Sequence, residues 1–313
     1  MIPSIGIHEN VPFPVYQSWE ALNNSLLKEI TRSPGHLAYR RDYSIDVTLA
    51  MTLGSATDTL LFDGETAFAK AYQSNPQRME ELPSHFVQAP DGYKGTTKAD
   101  KEWRTDEEAR GNVIVKPADW NGGGLSGRSA AGKAWKQWAE SQGIAVLSRD
   151  DIQRVRDTVE AIHHHEHAYT MLHAGQSQLS IVWRDEETGV LCKARLDLYT
   201  TGAIIDLKTT VDADPETFAK LAFAFRYHWQ AAFYCDGMTA ITGEPHDEFS
   251  YIVAEREPPH RVEVMRLGMA ELEMGRAEYR DALRLYAECE KNNHWPTSTG
   301  TVQELRFPGW AFK

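Results

Sequence analysis

The chain has 313 residues, of which 42% are hydrophobic and 25% are charged, and its formal net charge at pH 7 is −12. This balance is typical of a folded globular protein and excludes a disordered or fibrous one. Because the overall charge is acidic, any contact with nucleic acid must be confined to a local basic tract.

The sequence shows neither a membrane span nor a secretion signal. No stretch reaches the roughly 18–20 consecutive apolar residues that a spanning helix needs, and no basic patch followed by an apolar run opens the chain. The three cysteines, Cys192, Cys235 and Cys289, include no CxxC pair, which argues against a disulfide framework and a thiolate metal site. We therefore expect a cytoplasmic protein without membrane contact.

The N-terminal half is predicted to be mainly helical. Residues 1–17 are rich in proline and are predicted to be extended. Apolar spacing predicts one helix from Ser18 to Arg32 and a second from Ile45 to Phe62. Residues 75–145 are predicted to form loops and short helices, and helical spacing resumes at Asp150.

The irregular segment 75–145 is the most basic part of the chain, and its lysines and arginines are interleaved with Trp103, Trp120, Trp135 and Trp138. Two interpretations stay open for it. One is a solvated helical surface with tryptophans in the core. The other is a surface that follows a nucleic-acid strand with positive charge and aromatic faces, in which Arg128 and Lys133 contact DNA phosphates.

The C-terminal half is predicted to contain a sheet and a long helix. The runs QLSIVWRD, VLCKARLDLYT and AIIDLKTT are β-rich and are separated by short glycine-containing turns, which favours an antiparallel meander. One or two helices follow over residues 213–241, and then two more strands. A helix from Met269 to Lys291 completes the prediction of a single α/β domain.

Two acids and a lysine stand out in this meander. Side chains alternate along a strand, so Asp206 and Lys208 point to one side while Leu207 points into the core. A hairpin of this length brings Asp197 beside Asp206. Two carboxylates next to a lysine suit Mg²⁺ or Mn²⁺, with the backbone carbonyl of Leu207 as a further ligand. Such an ion polarises a water, and Lys208 positions that water or offsets charge on an attacked phosphate.

These residues resemble the signature of the PD-(D/E)XK nuclease superfamily, and more closely that of the RecE (exonuclease VIII) type. Further motifs of that type recur in the same order along the chain. They are Ser33-Pro34, Leu53-Gly54-Ser55-Ala56, Gly132-Lys133-Ala134-Trp135, Leu179-Ser180-Ile181, Glu187-Thr188-Gly189, Lys193-Ala194-Arg195, Arg226-Tyr227-His228, Glu255 with Pro258-Pro259, and Pro308-Gly309-Trp310-Ala311.

The resemblance implies a restriction-endonuclease-like α/β fold, in which helices flank a central mixed sheet. Residues 1–313 would form one nuclease domain, with the catalytic core and C-terminal helix in residues 150–313. It also implies a Mg²⁺-dependent exonuclease that degrades one strand of linear double-stranded DNA from the 5′ end. Relatives act in DNA recombination as homo-oligomeric rings and pass the exposed strand to a single-strand annealing protein.

The resemblance also assigns site residues. Asp197, Asp206 and Lys208 are the two acids and the lysine, and Gln230 supports the lysine or the attacked phosphate. The motifs place Arg195, Tyr227 and Tyr234 as substrate contacts. Two positions depart from the family: Asp58 replaces a histidine and Gln178 replaces a glutamate. Both are predicted as metal ligands, and together they leave the charge count at the metal unchanged.

Other functions remain as alternatives. Within the superfamily, the chain would be an endonuclease, a single-strand or RNA nuclease, or a DNA-binding descendant with weakened catalysis. His163 to His167 contain HxxEH, a zinc-peptidase pattern, with His163 and His167 predicted on one helix face. Gly127 to Ala134 nearly fit the phosphate-binding GxxxxGK[ST] loop, but Ala134 lacks the hydroxyl that binds Mg²⁺.

Overall fold

A computed structural model describes residues 1–43, 46–122, 124–298, 300–302 and 304–307. The predicted helix start at Ile45 and the motif Pro308-Gly309-Trp310-Ala311 lie outside these residues. Within them the chain forms twelve α-helices and twelve β-strands, and no described helix has the length and apolarity needed to span a membrane.

The helices are α1 (Phe13–Ser18), α2 (Asn24–Leu27), α3 (Pro34–Asp42), α4 (Leu49–Asp58), α5 (Gly64–Ala71), α6 (Lys98–Ala109), α7 (Ala130–Ser141), α8 (Arg149–His164), α9 (Glu166–Ala174), α10 (Pro215–Ala224), α11 (Tyr227–Thr242) and α12 (Met269–Asn292). The strands are β1 (Gly6–His8), β2 (Tyr72–Gln73), β3 (Phe86–Gln88), β4 (Val113–Val115), β5 (Trp120–Asn121), β6 (Gly124–Leu125), β7 (Ala145–Val146), β8 (Gln176–Arg184), β9 (Leu191–Thr200), β10 (Ala203–Thr210), β11 (Glu248–Glu255) and β12 (Val262–Arg266).

The chain divides into two compact units. The first unit comprises residues 1–47, 164–254 and 261–313, and the second comprises residues 48–163 and 255–260. The first unit is built on a six-stranded mixed sheet with the order β1-β8-β9-β10-β11-β12. The antiparallel meander of β8, β9 and β10 is confirmed, and so is the predicted α/β fold with helices flanking a mixed sheet.

The helices α11 and α12 form the main core of the first unit together with the sheet. Trp183, Phe233 and Tyr279 belong to its buried cluster. Glycine permits the close approach of these elements. A Cβ on Gly237 of α11 would lie 2.8 Å from the Trp183 ring, and a Cβ on Gly275 of α12 would overlap the carbonyl group of His228.

The predicted helix from Ser18 to Arg32 is wrong in its first part. The structure instead has α1, an extended segment, α2 and a 3₁₀ turn over Lys28–Thr31. The backbone of Leu22 accepts from the Lys193 N–H at 2.8 Å and donates to the Leu191 carbonyl at 2.9 Å. Pairing with β9 thus competes with helix formation there, and the periodicity of the segment cannot report this competition. Residues 1–17, predicted to be extended, contain β1 and most of α1.

The second unit contains α4 to α7 and most of α8, with short strand pairs between them. Its α4 begins after the Thr48 cap and ends at Asp58, and a π-helical turn over Thr59–Asp63 continues it to the predicted end near Phe62. Trp135 is 1% exposed in a cluster with Phe86 and Leu125. Trp103, Trp120 and Trp138 are all partly buried, and the alternative of a surface that follows a nucleic-acid strand stays a prediction.

Candidate active site

The hairpin of β9 and β10 carries the two predicted acids. Asp197 lies near the end of β9 and Asp206 lies in β10. The turn between the strands contains Gly202 at φ +89°, a backbone angle that glycine adopts without strain. The Asp197 Oδ2 accepts a hydrogen bond of 2.9 Å from the N–H of Leu207. The first acid therefore contacts the backbone of the strand that bears the second.

Asp206, Lys208 and Gln230 form a closed hydrogen-bonded triangle. The Lys208 ammonium donates to one carboxylate oxygen of Asp206, and the Gln230 Nε2 donates to the other at 2.5 Å. The third side joins the Lys208 Nζ to the Gln230 Oε1 at 3.2 Å. Gln230 comes from the first turn of α11, so the triangle joins the sheet to the helix behind it.

These side chains lie on the helix-covered side of the sheet. Ile204 has the same parity along β10 as Asp206 and Lys208, and it is buried in the main core cluster with residues of α11. Leu207 is also buried but does not belong to that cluster, so the prediction that Leu207, and not the side of Asp206 and Lys208, points into the main core is wrong. Asp206 is only 2% exposed and the Lys208 side chain 16%. A carboxylate buried this far needs hydrogen-bonding partners, and the triangle supplies them.

The electrostatics of the site are dominated by burial and by the paired charges. Burial by itself would lower the pKa of the Lys208 ammonium, but the carboxylates of Asp206 and Asp197 outweigh it, and the pKa is raised. The Tyr227 ring lies 4.7 Å from the Lys208 Nζ. Burial raises the pKa of the Tyr227 phenol and raises that of Tyr234 further; the Tyr234 hydroxyl also bonds the Gln230 side chain.

The available donors fit a hard divalent cation. The carboxylates of Asp197 and Asp206 are oxygen ligands of the type that Mg²⁺ prefers. Among the described residues, no group of three or more His, Cys, Asp or Glu side chains is placed to hold a metal. Two carboxylates are nevertheless sufficient, because Mg²⁺ in proteins commonly keeps several waters and binds one or two carboxylates.

Comparisons with known proteins give one family match and one similar solved structure. The sequence model of one family, described as a PDDEXK-like domain of unknown function (DUF3799), matches residues 130–308, which is more than half of the chain. The chain belongs to this family. The crystal structure of a "Putative exonuclease" from Eubacterium rectale is similar at 14% identity and a TM-score of 0.49, over 97% of this chain and 98% of that one. Among curated proteins, none matches this chain.

Two other predicted residues of this PDDEXK-like domain, Gln178 and Arg195, are hydrogen-bonded to each other. The Gln178 Oε1 accepts from the Arg195 Nε at 2.6 Å. The same guanidinium donates to the carbonyl of Val11 at 2.7 Å and to the Ser180 hydroxyl at 3.2 Å. These three hydrogen-bond acceptors of Arg195 lie within the first unit. The roles of Gln178 as metal ligand and of Arg195 as substrate contact stay predictions.

Three residues predicted for the site lie in the second unit. Asp58 is the last residue of α4, before a π-helical turn over Thr59–Asp63. Arg128 and Lys133 are exposed, one before α7 and the other within it. Asp58 as metal ligand and the two cations as phosphate contacts stay predictions.

The predicted shared helix face of His163 and His167 is wrong. His163 belongs to α8 and His167 to α9, because the first helix stops and a new one begins. His165 starts the second helix, since its Nδ1 accepts from the Ala168 N–H at 3.3 Å. The HxxEH pattern therefore does not place its two histidines one helical turn apart.

Sequence reasoning missed Lys28, a residue next to the candidate site. Its Nζ donates to the carbonyl of Phe225 at 3.2 Å and lies 5.9 Å from the centroid of the Tyr227 ring. Burial, followed by the neighbouring charge of Lys208, lowers its pKa to about 8. No sequence signal could have found it, because only tertiary packing brings the 3₁₀ turn to the turn before α11.

Proposed function

We propose that this protein is a metal-dependent nuclease that hydrolyses phosphodiester bonds. The observation that carries the proposal is the triangle of Asp206, Lys208 and Gln230, with Asp197 bonded to the same strand. Membership in a PDDEXK-like family supports it. Two acids, a lysine and a supporting amide are the groups that hydrolysis of a phosphate ester requires at one point.

The finer proposal follows the resemblance to RecE (exonuclease VIII). In it the protein is a Mg²⁺-dependent exodeoxyribonuclease that degrades one strand of linear duplex DNA in the 5′-to-3′ direction. It acts in the cytoplasm in phage or bacterial recombination, as a ring that passes the remaining strand to a single-strand annealing protein. The motifs quoted from Ser33 to Glu255 support this subtype.

In the proposed mechanism the two acids hold the cation. Asp197 and Asp206 would hold Mg²⁺, for which Mn²⁺ would substitute, and the ion would supply a water of lowered pKa and charge neutralisation at the phosphate. The Lys208 ammonium carries three donors, so it can turn from Asp206 toward the attacked phosphate and offset the charge that develops there. Gln230 holds both partners and thereby fixes where Lys208 lies before reaction.

The test is degradation of end-labelled linear duplex in Mg²⁺, with EDTA as the control. We expect release of the 5′ label first, no release in EDTA, and no cutting of circular duplex. Asp206→Asn should reduce the rate at least about 100-fold, whereas Asp281→Asn, at an exposed acid of α12, should cut like the parent.

Each part of the proposal has its own contradicting result. Cutting of circular duplex at a similar rate would favour the endonuclease alternative, and preferential digestion of single strands or RNA would favour that substrate class. Early release of the 3′ label would overturn the polarity. Absence of any Mg²⁺- or Mn²⁺-dependent hydrolysis would overturn the nuclease itself.

A further inference from the structure

The turn between α10 and α11 presents two large aromatic side chains to solvent. Phe223 is 63% exposed and Phe225 is 56% exposed. Between them and α11, Arg226 adopts a left-handed backbone conformation at φ +55°. Its guanidinium pairs with Glu278 at 3.0 Å and lies 4.7 Å from the centroid of the Trp229 ring. The turn is therefore fixed by packing, and the exposed rings are held in place.

The two rings stack on different neighbours. Phe225 stacks on Tyr227, with centroids 5.9 Å apart and planes at 26°, and Tyr227 is the ring that lies next to Lys208. Phe223 stacks instead on His228, at 5.7 Å and 10°, and the His228 Nε2 faces Glu278 at 3.3 Å. Of the two rings, Phe225 is therefore the one that extends the candidate active site toward solvent.

Lys28 places a cation next to the Phe225 and Tyr227 rings. Its Nζ bonds the Phe225 carbonyl at 3.2 Å. Because 5.9 Å separates it from the Tyr227 centroid and 4.7 Å separates Lys208 from that centroid, the two nitrogens are at most 10.6 Å apart. Burial and the positive charge of Lys208 both disfavour the protonated form of Lys28. An anion bound beside Lys28 would offset that cost.

We propose that Lys28, Phe225 and Tyr227 form a subsite for one unpaired nucleotide of the substrate strand, next to the cleaved bond. The base stacks on the open face of Phe225 and a phosphate binds Lys28. An unpaired nucleotide fits because stacking on a protein ring needs a base whose face is open. This inference rests on the proposed nuclease function. It adds a contact between the substrate strand and the protein next to the two acids of the candidate active site.

The test measures binding without cleavage. The Asp206→Asn protein is titrated into a single-stranded oligonucleotide that carries 2-aminopurine as its terminal base. We expect the fluorescence to fall on binding, because stacking quenches it. Phe225→Leu in the same background keeps an apolar side chain but removes the ring, and should bind about 5- to 150-fold more weakly with little quenching.

Phe223→Leu is the matched control, because it changes a similarly exposed phenylalanine two residues away, at the end of α10, and should bind like the Asp206→Asn parent. Lys28→Gln should weaken binding and reduce the magnitude of the slope of log affinity against log salt by about 0.7, the value for one phosphate contact on a single strand. Thermal melting of each variant establishes that it is folded. The subsite is overturned if Phe225→Leu binds unchanged, or if both phenylalanine variants weaken binding equally.

Failure of the subsite is distinguishable from failure of the nuclease. If the wild-type chain cuts duplex in Mg²⁺ and Phe225→Leu leaves oligonucleotide binding unchanged, only the subsite is wrong. If the wild-type chain never cuts but loses oligonucleotide binding through Phe225→Leu and Lys28→Gln, the subsite stands and the nuclease proposal falls.

Discussion

At the scale of single residues, the candidate site is a buried carboxylate that is fully partnered. Asp206 is 2% exposed and receives hydrogen bonds from Lys208 and Gln230. The Lys208 side chain is itself only 16% exposed. Lys208 therefore neutralises a buried charge as well as facing the proposed substrate.

Replacing Lys208 with Met should affect catalysis and stability together. The variant keeps the aliphatic stem but leaves one oxygen of the buried Asp206 without its cation. We expect the cutting rate to fall at least about 100-fold and the free energy of unfolding to fall by about 1–3 kcal/mol in EDTA. Mg²⁺ should restore part of that stability, because it binds the folded state.

The measurements are duplex digestion and urea unfolding with and without Mg²⁺. Lys220→Met, at an exposed position of α10, is the matched control and should change neither quantity. A Lys208→Met protein that cuts at the parental rate would remove Lys208 from the mechanism.

Lys193 is a buried lysine that binds carbonyl oxygens. It is 3% exposed, and its ammonium donates to the carbonyls of Tyr16, Gln17 and Trp19 at 2.9, 3.2 and 2.7 Å. These groups lie at the C-terminal end of α1, where helical carbonyls lack partners within the helix and attract a cation. Lys193 thereby fixes the N-terminal segment on β9, and burial lowers its pKa from 10.5 to about 8.

This pKa gives the Lys193 contribution a defined pH dependence. Between about pH 8 and about pH 10, the unfolded chain holds a proton on Lys193 that the folded chain has released, so the free energy of unfolding rises with pH. Lys193→Met lacks this group. We expect the stability of the parent minus that of the variant to increase across this window. Urea unfolding at several pH values measures it, and a constant or shrinking difference contradicts the assignment.

At the scale of elements, the contact between α11 and α12 depends on one residue without a side chain. A Cβ at Gly275 would overlap the His228 carbonyl, which belongs to the backbone of α11 and cannot turn away. The same helix supplies Gln230 to the site. The spacing of α11 and α12 and the position of the triangle are therefore set by the same contact.

Gly275→Ala should destabilise the protein although alanine is the better helix former. The steric overlap forces the helices apart, and overpacking of this kind typically costs about 1–3 kcal/mol, more than the gain of about 1 kcal/mol in helix propensity. Gly122→Ala is the control, because a Cβ there meets no atom within 4 Å. Equal melting temperatures for Gly275→Ala and the parent would show that the overlap is relieved at no cost.

At the scale of the whole molecule, the chain is acidic and consists of two compact units. Asp197, Asp206, Lys208 and Gln230 all belong to the first unit. Because the net charge is −12, the DNA of the proposed function would have to be held through local cations against a repulsive overall charge. Encirclement of the duplex by several copies would keep the substrate bound despite this repulsion, which is one reason to test the ring that the resemblance implies.

We expect the protein to be a homo-oligomer in solution. Its mass by light scattering during gel filtration should be a small whole multiple of 35.4 kDa and should not depend on concentration across the micromolar range. A mass of one chain at all concentrations contradicts the ring. Duplex digestion by the same sample determines whether activity needs the assembly.

The sequence by itself determined the meander β8-β9-β10, the long helix α12, and the proximity of Asp197 to Asp206. Each of these follows from local pattern: alternation along strands, short glycine turns, and helical spacing over many residues. The same pattern was insufficient for residues 18–32, where strand pairing with β9 overrides the helical period. It was also insufficient for His163 and His167, which lie in separate helices because the chain breaks between α8 and α9.

Only the tertiary structure decided what surrounds the acids. It brought Gln230 from α11 to Asp206, buried Lys208 on the helix-covered side, and placed Lys28 beside Phe225 from a distant part of the chain. These contacts join residues far apart in sequence, so no local periodicity encodes them. They depend on how closely α11 packs on the sheet and on α12, and that distance is fixed by side-chain volume and by two glycines in the interface.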